Sequence, residues 1–99
     1  MFFLASYPVS DFSQTDIPML YLFAENDGLV NEEDIKKAEA NLSTSNANRV
    51  ETIFGGNHSQ FGNVKTQSGD NPATISGKEQ QKEVVYLLDD WISGMIYTL

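Results

Sequence analysis

The stretch "PMLYLFAENDG", residues 18–28, decides the fold class of this chain. Residues 18–25 are apolar almost throughout, as expected of a strand that is buried on both faces of a parallel sheet. Asn26, Asp27 and Gly28 then predict a turn, because such residues tolerate left-handed backbone geometry or bond to their own backbone. The stretch therefore predicts a central parallel strand that ends in a polar loop.

Further strands and a helix lie on either side of this stretch. Residues 2–6, "FFLAS", form a short aromatic and apolar run that predicts a strand, and residues 49–56, "RVETIFGG", predict another. The apolar residues of the latter are Val50, Ile53 and Phe54. Residues 31–42 predict a helix, because Asn31 is a suitable N-cap, acidic residues fill the first turn and apolar residues recur at helical spacing.

A second helix closes the chain after a long irregular stretch. Residues 62–77 are rich in Gly, Asn, Ser, Thr and Asp, which is typical of a functional loop or a disordered insertion. Ser76 and Glu79 then match the S-x-x-E pattern of a capping box, which predicts a helix of about 15 to 20 residues. Its apolar stripe, expected to be core, consists of Val84, Val85, Leu87, Leu88, Trp91, Ile92, Met95 and Ile96.

The order strand, strand, helix, strand, long loop, helix predicts an α/β fold. Alternation of strands and helices favours a parallel sheet with right-handed crossovers, here of about three strands and two main helices. A length of 99 residues predicts a single domain over residues 1–99.

Composition excludes several classes of function. The chain has 14 acidic and 6 scattered basic residues, a net charge of −8, so we expect neither nucleic acid nor an anionic membrane surface as a partner. The absence of cysteine excludes disulfides and thiolate metal sites and leaves the redox compartment open. One histidine among dispersed carboxylates predicts no metal site. A soluble protein, in the cytoplasm, is the default expectation.

Two polar clusters follow predicted strands, "AENDG" at residues 24–28 and "GGNHSQFG" at residues 55–62. Because parallel strands present their carboxyl ends at one edge of the sheet, we expect the two clusters to share that edge. Asp27 and His58, the only histidine, would then lie side by side. A carboxylate beside a histidine orients the imidazole and stabilises the imidazolium that forms when it takes a proton. The pattern indicates an acid–base pair.

The same residues carry a resemblance that covers roughly residues 2–91. An acid and then a histidine after the last two strands, followed by a closing helix, resembles the C-terminal portion of the α/β-hydrolase fold. The segment "GGNHSQFG" with "SGDNPATISGKEQQ" is similar to the histidine segment of a bacterial α/β-hydrolase subfamily. The resemblance implies that Asp27 is the acid of a catalytic triad, that His58 is its general base, and that no cofactor is needed. It also implies an esterase-like activity on a small-molecule ester or acyl substrate.

The sequence departs from that family in one respect. The superfamily carries its nucleophilic serine in a G-x-S-x-G elbow ahead of the acid and the histidine, and no serine here lies in that pattern. We therefore expect that the nucleophile lies upstream of Met1, that the chain is the C-terminal part of a hydrolase, and that it is inactive alone.

Several alternatives stay open on the sequence. Asp27 and His58 suit a tight turn and a Gly-rich loop without any catalysis, and Glu25 is a rival for the acid. The loop over residues 62–77 is expected to border a substrate pocket because of its position and length. From another class of function, the chain is a non-catalytic α/β module that self-associates through an exposed sheet edge or binds a partner that supplies missing strands.

Overall fold

The computed structural model describes residues 1–6, 11–62 and 64–98. It contains three strands, two α-helices and a short 3-10 helix, in the order that the sequence predicts. The elements are β1 (Phe2–Leu4), β2 (Leu20–Ala24), α1 (Glu32–Ala40), β3 (Arg49–Ile53), the 3-10 helix (Ser59–Gly62) and α2 (Gly77–Thr98). The α/β class is confirmed.

The sheet has the order β1-β2-β3 and both of its pairings are parallel. Leu20 pairs with Phe2 on one side and with Arg49 on the other, so β2 is the central strand. All five residues of β2 are buried, which confirms the expectation of a strand covered on both faces. Its apolar residues continue to the end because helices on both faces shield it from water.

Alternate residues of β2 build two separate cores. On one face, Leu20 and Leu22 pack in a cluster with Ile53 of β3 and with Val84 and Trp91 of α2. On the other face, the cluster consists of Met19, Tyr21, Phe23 and Ala38, the last of which belongs to α1. The period-two alternation of a strand thus places α1 and α2 on opposite faces of the sheet.

Both helices begin at the caps that the sequence predicts. The Asn31 side chain accepts a hydrogen bond from the Asp34 N–H, and the Asp34 carboxylate accepts one from the Asn31 N–H, so the N-cap is a full capping box. Ser76 and Glu79 form the expected box before α2, with the Glu79 N–H donating to Ser76 Oγ over 3.1 Å. These bonds satisfy N–H groups that the first helical turn leaves without partners.

Two apolar parts of the chain are exposed, and the second contradicts the expectation that the whole apolar stripe of α2 is core. Phe54 is 75% exposed, because it follows the last paired residue of an edge strand, where nothing in the described part of the chain covers it. The outer half of the α2 stripe is exposed as well, at Val85, Ile92 and Ile96. The stripe is wider than the single helix face that a sheet of three strands covers, so only its inner half is core.

Helix α2 is also longer than expected, at 22 residues. Even so, no helix in the described ranges is long and apolar enough to cross a membrane.

One polar group in the core is unpaired. Tyr21 is fully buried with its ring 4.9 Å from that of Phe3, and no described residue gives its hydroxyl a hydrogen bond. Burial raises the pKa of the Tyr21 phenol. A buried hydroxyl without a partner loses its hydration and gains nothing in return.

We therefore expect Tyr21→Phe to raise the free energy of unfolding by about 1 kcal/mol, since it removes only the unpaired hydroxyl. Urea unfolding followed by Trp91 fluorescence measures this. Tyr86→Phe, at a tyrosine that is 63% exposed, is the matched control and should leave stability unchanged. A clear loss of stability in Tyr21→Phe would mean that the hydroxyl has a partner.

Candidate active site

The candidate site lies where β2 and β3 end, at the carboxyl edge of the sheet. Two backbone bonds continue the pairing beyond the strands, from Glu25 N–H to Ile53 O over 3.1 Å and from Asn26 N–H to Gly56 O over 2.9 Å. The loop that follows β2 (residues 25–30, the acid loop) and the loop that follows β3 (residues 54–58, the base loop) therefore leave the sheet side by side.

Asp27 and His58 meet at this edge. Asp27 Oδ2 lies 2.9 Å from His58 Nδ1, within hydrogen-bond distance. The Asp27 side chain is only 2% exposed and the His58 side chain 28%, so water reaches the imidazole but scarcely the carboxylate. The structure thus brings together the two residues that the sequence singled out.

The acid loop fixes the direction of the carboxylate. Asp27 Oδ1 accepts the N–H groups of Leu29 over 2.7 Å and Val30 over 2.9 Å, which leaves Oδ2 for the imidazole. This is the local side-chain-to-backbone bonding that makes Asp frequent in turns. The Asp27 carboxylate therefore has two roles: Oδ1 stabilises the turn, and Oδ2 contacts the imidazole of His58.

Glu25, the rival acid, contacts the base loop. Its Oε1 accepts the Gly55 N–H over 2.9 Å, so it supports the start of the base loop and does not contact His58 in this arrangement. Gly55 has φ of +79°, a left-handed conformation that favours glycine, and a Cβ there would lie 2.7 Å from Thr74 Oγ1. The turn that presents His58 thus depends on this glycine.

A buried amide anchors the base loop to α2. Gln80 is fully buried; its Oε1 accepts the Asn57 N–H over 3.1 Å and its Nε2 donates to Asn57 O over 2.8 Å. The side chain therefore bonds Asn57 as a neighbouring strand would. Sequence reasoning missed Gln80, although a signal existed: it lies one helical turn before Val84, so it is a polar residue in line with the apolar stripe.

Asp70 is the second residue that the sequence analysis missed. It belongs to the loop between the 3-10 helix and α2 (residues 64–76, the return loop), which had no assigned contacts. Its Oδ1 accepts N–H groups from Gly28, His58 and Asn71, and its Oδ2 accepts the N–H and the hydroxyl of Ser59. Burial alone would raise its pKa, but these hydrogen bonds outweigh burial and lower the pKa of Asp70 to about 2.

A cavity of about 310 Å³ opens beside His58. Leu4 and Ala5 line it from the end of β1, Phe61 from the 3-10 helix, and Val64 and Gln67 from the return loop. The return loop therefore borders a cavity beside His58. A larger cavity of about 620 Å³, beside Arg49 and Trp91, lies at the opposite, amino-terminal edge of the strands and away from the pair.

Among the described residues, the serine next to His58 is not placed to act as a nucleophile. Ser59 is the neighbour of His58 in sequence, yet Ser59 is only 1% exposed, and its Oγ donates to Asp70 and accepts the Gln67 N–H. That hydroxyl is committed to the return loop. In the described ranges no group of three His, Asp or Glu side chains is arranged to hold a metal ion. The arrangement can orient an imidazole and receive a proton at its edge.

The lowered pKa of Asp70 gives a prediction for stability against pH. The pKa of its carboxylate is about 2 in the fold, below its ordinary value of 3.8, so the stabilisation is complete above about pH 4 and is lost as pH falls towards 2. Asp70→Asn should cost about 1–2 kcal/mol near neutral pH, the lower figure allowing for solvent screening, and this deficit should shrink in acid.

Urea unfolding of the wild type and Asp70→Asn, from about pH 6 down to about pH 2, tests this linkage. Asp89→Asn removes the same charge from an exposed position on α2 and is the matched control. A deficit in Asp70→Asn that is the same at every pH would contradict the assignment of the lowered pKa.

Comparison with known proteins gives one family. A model of the alpha/beta hydrolase family matches residues 1–82, which is most of the chain. No match was found among curated proteins or among solved structures. Three parallel strands with two helices are consistent with part of the fold of that family. The chain therefore belongs to the alpha/beta hydrolase family.

Proposed function

We propose that this chain is the C-terminal segment of a serine-type hydrolase that acts on ester or related acyl bonds. The observation that carries the proposal is the 2.9 Å contact between Asp27 Oδ2 and His58 Nδ1 at the rim of a cavity, in a member of the alpha/beta hydrolase family. In this proposal, His58 takes the proton of a serine hydroxyl and later returns it to the leaving group. Asp27 holds the imidazole and stabilises its charged form.

The serine is proposed to come from outside these 99 residues. No serine here has glycine two positions before and two positions after it, and the hydroxyl of Ser59 is already bonded. The cavity beside His58 lies next to β1, whose outer edge pairs with no strand among the described residues. A further parallel strand at that edge would end beside the cavity and would present its following turn to His58.

The chemistry of the cavity supports an acyl substrate. The apolar residues Leu4, Phe61 and Val64 line the cavity together with His58, and the described lining residues include no Asp, Glu, Lys or Arg. Such a lining favours an uncharged ester or the acyl chain of one over a phosphorylated compound. We also propose that the chain belongs to the bacterial subfamily whose histidine segment "GGNHSQFG" resembles. The proposed reaction needs no cofactor and no metal ion.

The activity test compares two proteins. The isolated chain should hydrolyse p-nitrophenyl acetate only at the background rate, and His58→Ala should not change that rate. The coding sequence upstream of Met1 is expected to encode G-x-S-x-G in frame, and the extended protein should be an active esterase. In it, His58→Ala should lower kcat by about 10⁶-fold and Asp27→Asn by about 10⁴-fold.

Glu25→Gln is the matched control for the acid. The variant keeps a carbonyl oxygen for the Gly55 N–H, so its kcat should fall less than about tenfold, as for one weakened neutral hydrogen bond. A larger loss in Glu25→Gln than in Asp27→Asn would assign the acid to Glu25. Turnover by the isolated chain that disappears in His58→Ala would refute an external nucleophile.

A second function, a non-catalytic module that associates with a copy of itself, is favoured by the exposed apolar face of α2. Val85, Ile92 and Ile96 are 65%, 42% and 62% exposed, and they lie at spacings of seven and four residues, on one side of the helix. Exposed apolar side chains that form a row mark a surface that another body covers, whether a second chain or further strands and helices of the same protein.

For the isolated chain we expect sedimentation-velocity experiments to show a mass that rises with concentration. The double substitution Val85→Lys with Ile96→Lys should lower that association, because it places charge on the apolar row. Thr66→Lys, at an exposed residue of the return loop, is the control and should associate as the wild type does. A compact monomer at every concentration would exclude the self-associating module.

A further inference from the structure

The return loop carries a carboxylate that holds together the two halves of the candidate site. The acid loop and the base loop are bonded to each other through β2 and β3, but Asp27 and His58 lie beyond that pairing. Asp70 bonds to a residue next to each of them: to the Gly28 N–H over 3.0 Å and to the Ser59 N–H over 2.8 Å. A third bond, from the N–H of His58 itself, spans 3.3 Å.

We propose that Asp70 is a positioning residue of this site, which holds the acid loop against the base loop so that Asp27 Oδ2 meets His58 Nδ1. The proposal rests on the proposed function, since it concerns how the same acid–base pair is oriented. Asp70 contacts neither the imidazole ring nor the proposed substrate cavity, so its action would pass through the backbone of the two loops.

The chemistry of the carboxylate explains why an acid is needed. All five groups that Asp70 contacts are donors, four backbone N–H groups and one hydroxyl, and they are divided between its two oxygens. An ionised carboxylate accepts on both oxygens, whereas an amide accepts on one and donates on the other. In Asp70→Asn, one set of donors must therefore face an NH₂ group.

Close packing of backbone at Gly28 provides an independent observation. A Cβ at Gly28 would lie 2.3 Å from Gly69 O and 2.9 Å from Asp70 Cα, distances that real structures do not allow. Both atoms are backbone, so no side chain can move aside to make room. The acid loop and the return loop are thus in contact at a position that only glycine permits, and Gly28→Ala must separate them without changing any charge.

The single histidine makes the position of the imidazole measurable. When Asp27 accepts a hydrogen bond from Nδ1, the neutral imidazole is held as the Nδ1–H tautomer, whereas free histidine in water prefers Nε2–H. Long-range ¹H–¹⁵N correlation spectra of the full 99-residue chain, with the imidazole titrated to its neutral form, report the tautomer directly. Loss of a nearby charge by itself does not break this bond, so the readout separates position from electrostatics.

The experiment uses two variants that disturb the contacts between the return loop and the acid loop, and two matched controls. Asp70→Asn and Gly28→Ala should shift the tautomer population more than half of the way to that of Asp27→Ala, in which the imidazole has no acid partner. Asp89→Asn, with the same loss of charge, and Gly94→Ala, with the same added methyl group, should keep the wild-type tautomer. A Cβ at Gly94 would meet its nearest neighbour at an ordinary 3.6 Å.

The indole N–H of Trp91, which donates to Ala47 O, reports in the same samples whether each variant is folded. A wild type with Nδ1–H, and folded Asp70→Asn and Gly28→Ala variants that keep it, would overturn the positioning role and leave the proposed function standing. A wild type with Nε2–H would refute the Asp27–His58 pair and both proposals with it.

Discussion

The burial of β2 on both faces is the constraint on which the rest of the structure depends. A strand with no exposed residue needs a cover on each face and a partner on each side. The two covers are α1 and α2, and the two partners are β1 and β3, all supplied by the adjoining sequence. Parallel pairing then brings the ends of all three strands to one edge, so the position of Asp27 and His58 follows from the packing of apolar side chains some distance away.

At the polar edge of the sheet, side chains give hydrogen-bond partners to the irregular backbone. Leaving a polar group buried and unpaired costs more than most single hydrogen bonds contribute. Gln80 forms hydrogen bonds with both the N–H and the carbonyl oxygen of Asn57. Asp70 accepts hydrogen bonds from four backbone N–H groups and one hydroxyl. The irregular backbone around His58 therefore does without a regular ladder, because side chains take the place of strand neighbours there.

Periodicity and local chemistry allowed much of this to be predicted from the sequence. The burial of β2, the cap at Asn31 and the box at Ser76 follow from patterns a few residues long. The nearness of Asp27 and His58, 31 residues apart, was predictable because parallel topology brings strand ends together regardless of sequence distance.

Two features could not be predicted from the sequence: the contacts made in irregular loops, and how much of the apolar stripe of α2 the sheet covers. Gln80 on α2 and Asp70 in the return loop contact loop residues 23 and 42 positions away, where the backbone has no repeating geometry, so no local pattern indicates their partners. The sequence places Val85 and Val84 side by side on α2, yet only the size of the sheet decides that Val84 is buried and Val85 exposed.

The candidate site lies beside an exposed edge of the sheet. Asp27, His58 and Asp70 all lie within the described part of the chain, and hydrogen bonds inside it connect the loops that carry them. In the proposed hydrolase, a nucleophile from another segment would need its hydroxyl at a hydrogen-bond distance from His58 Nε2. The outer edge of β1 beside the cavity is the place where pairing with another strand would set it, because strand pairing defines position to within a residue. In the proposed hydrolase, the association that covers the exposed edge of the sheet is thus the same event that completes the site.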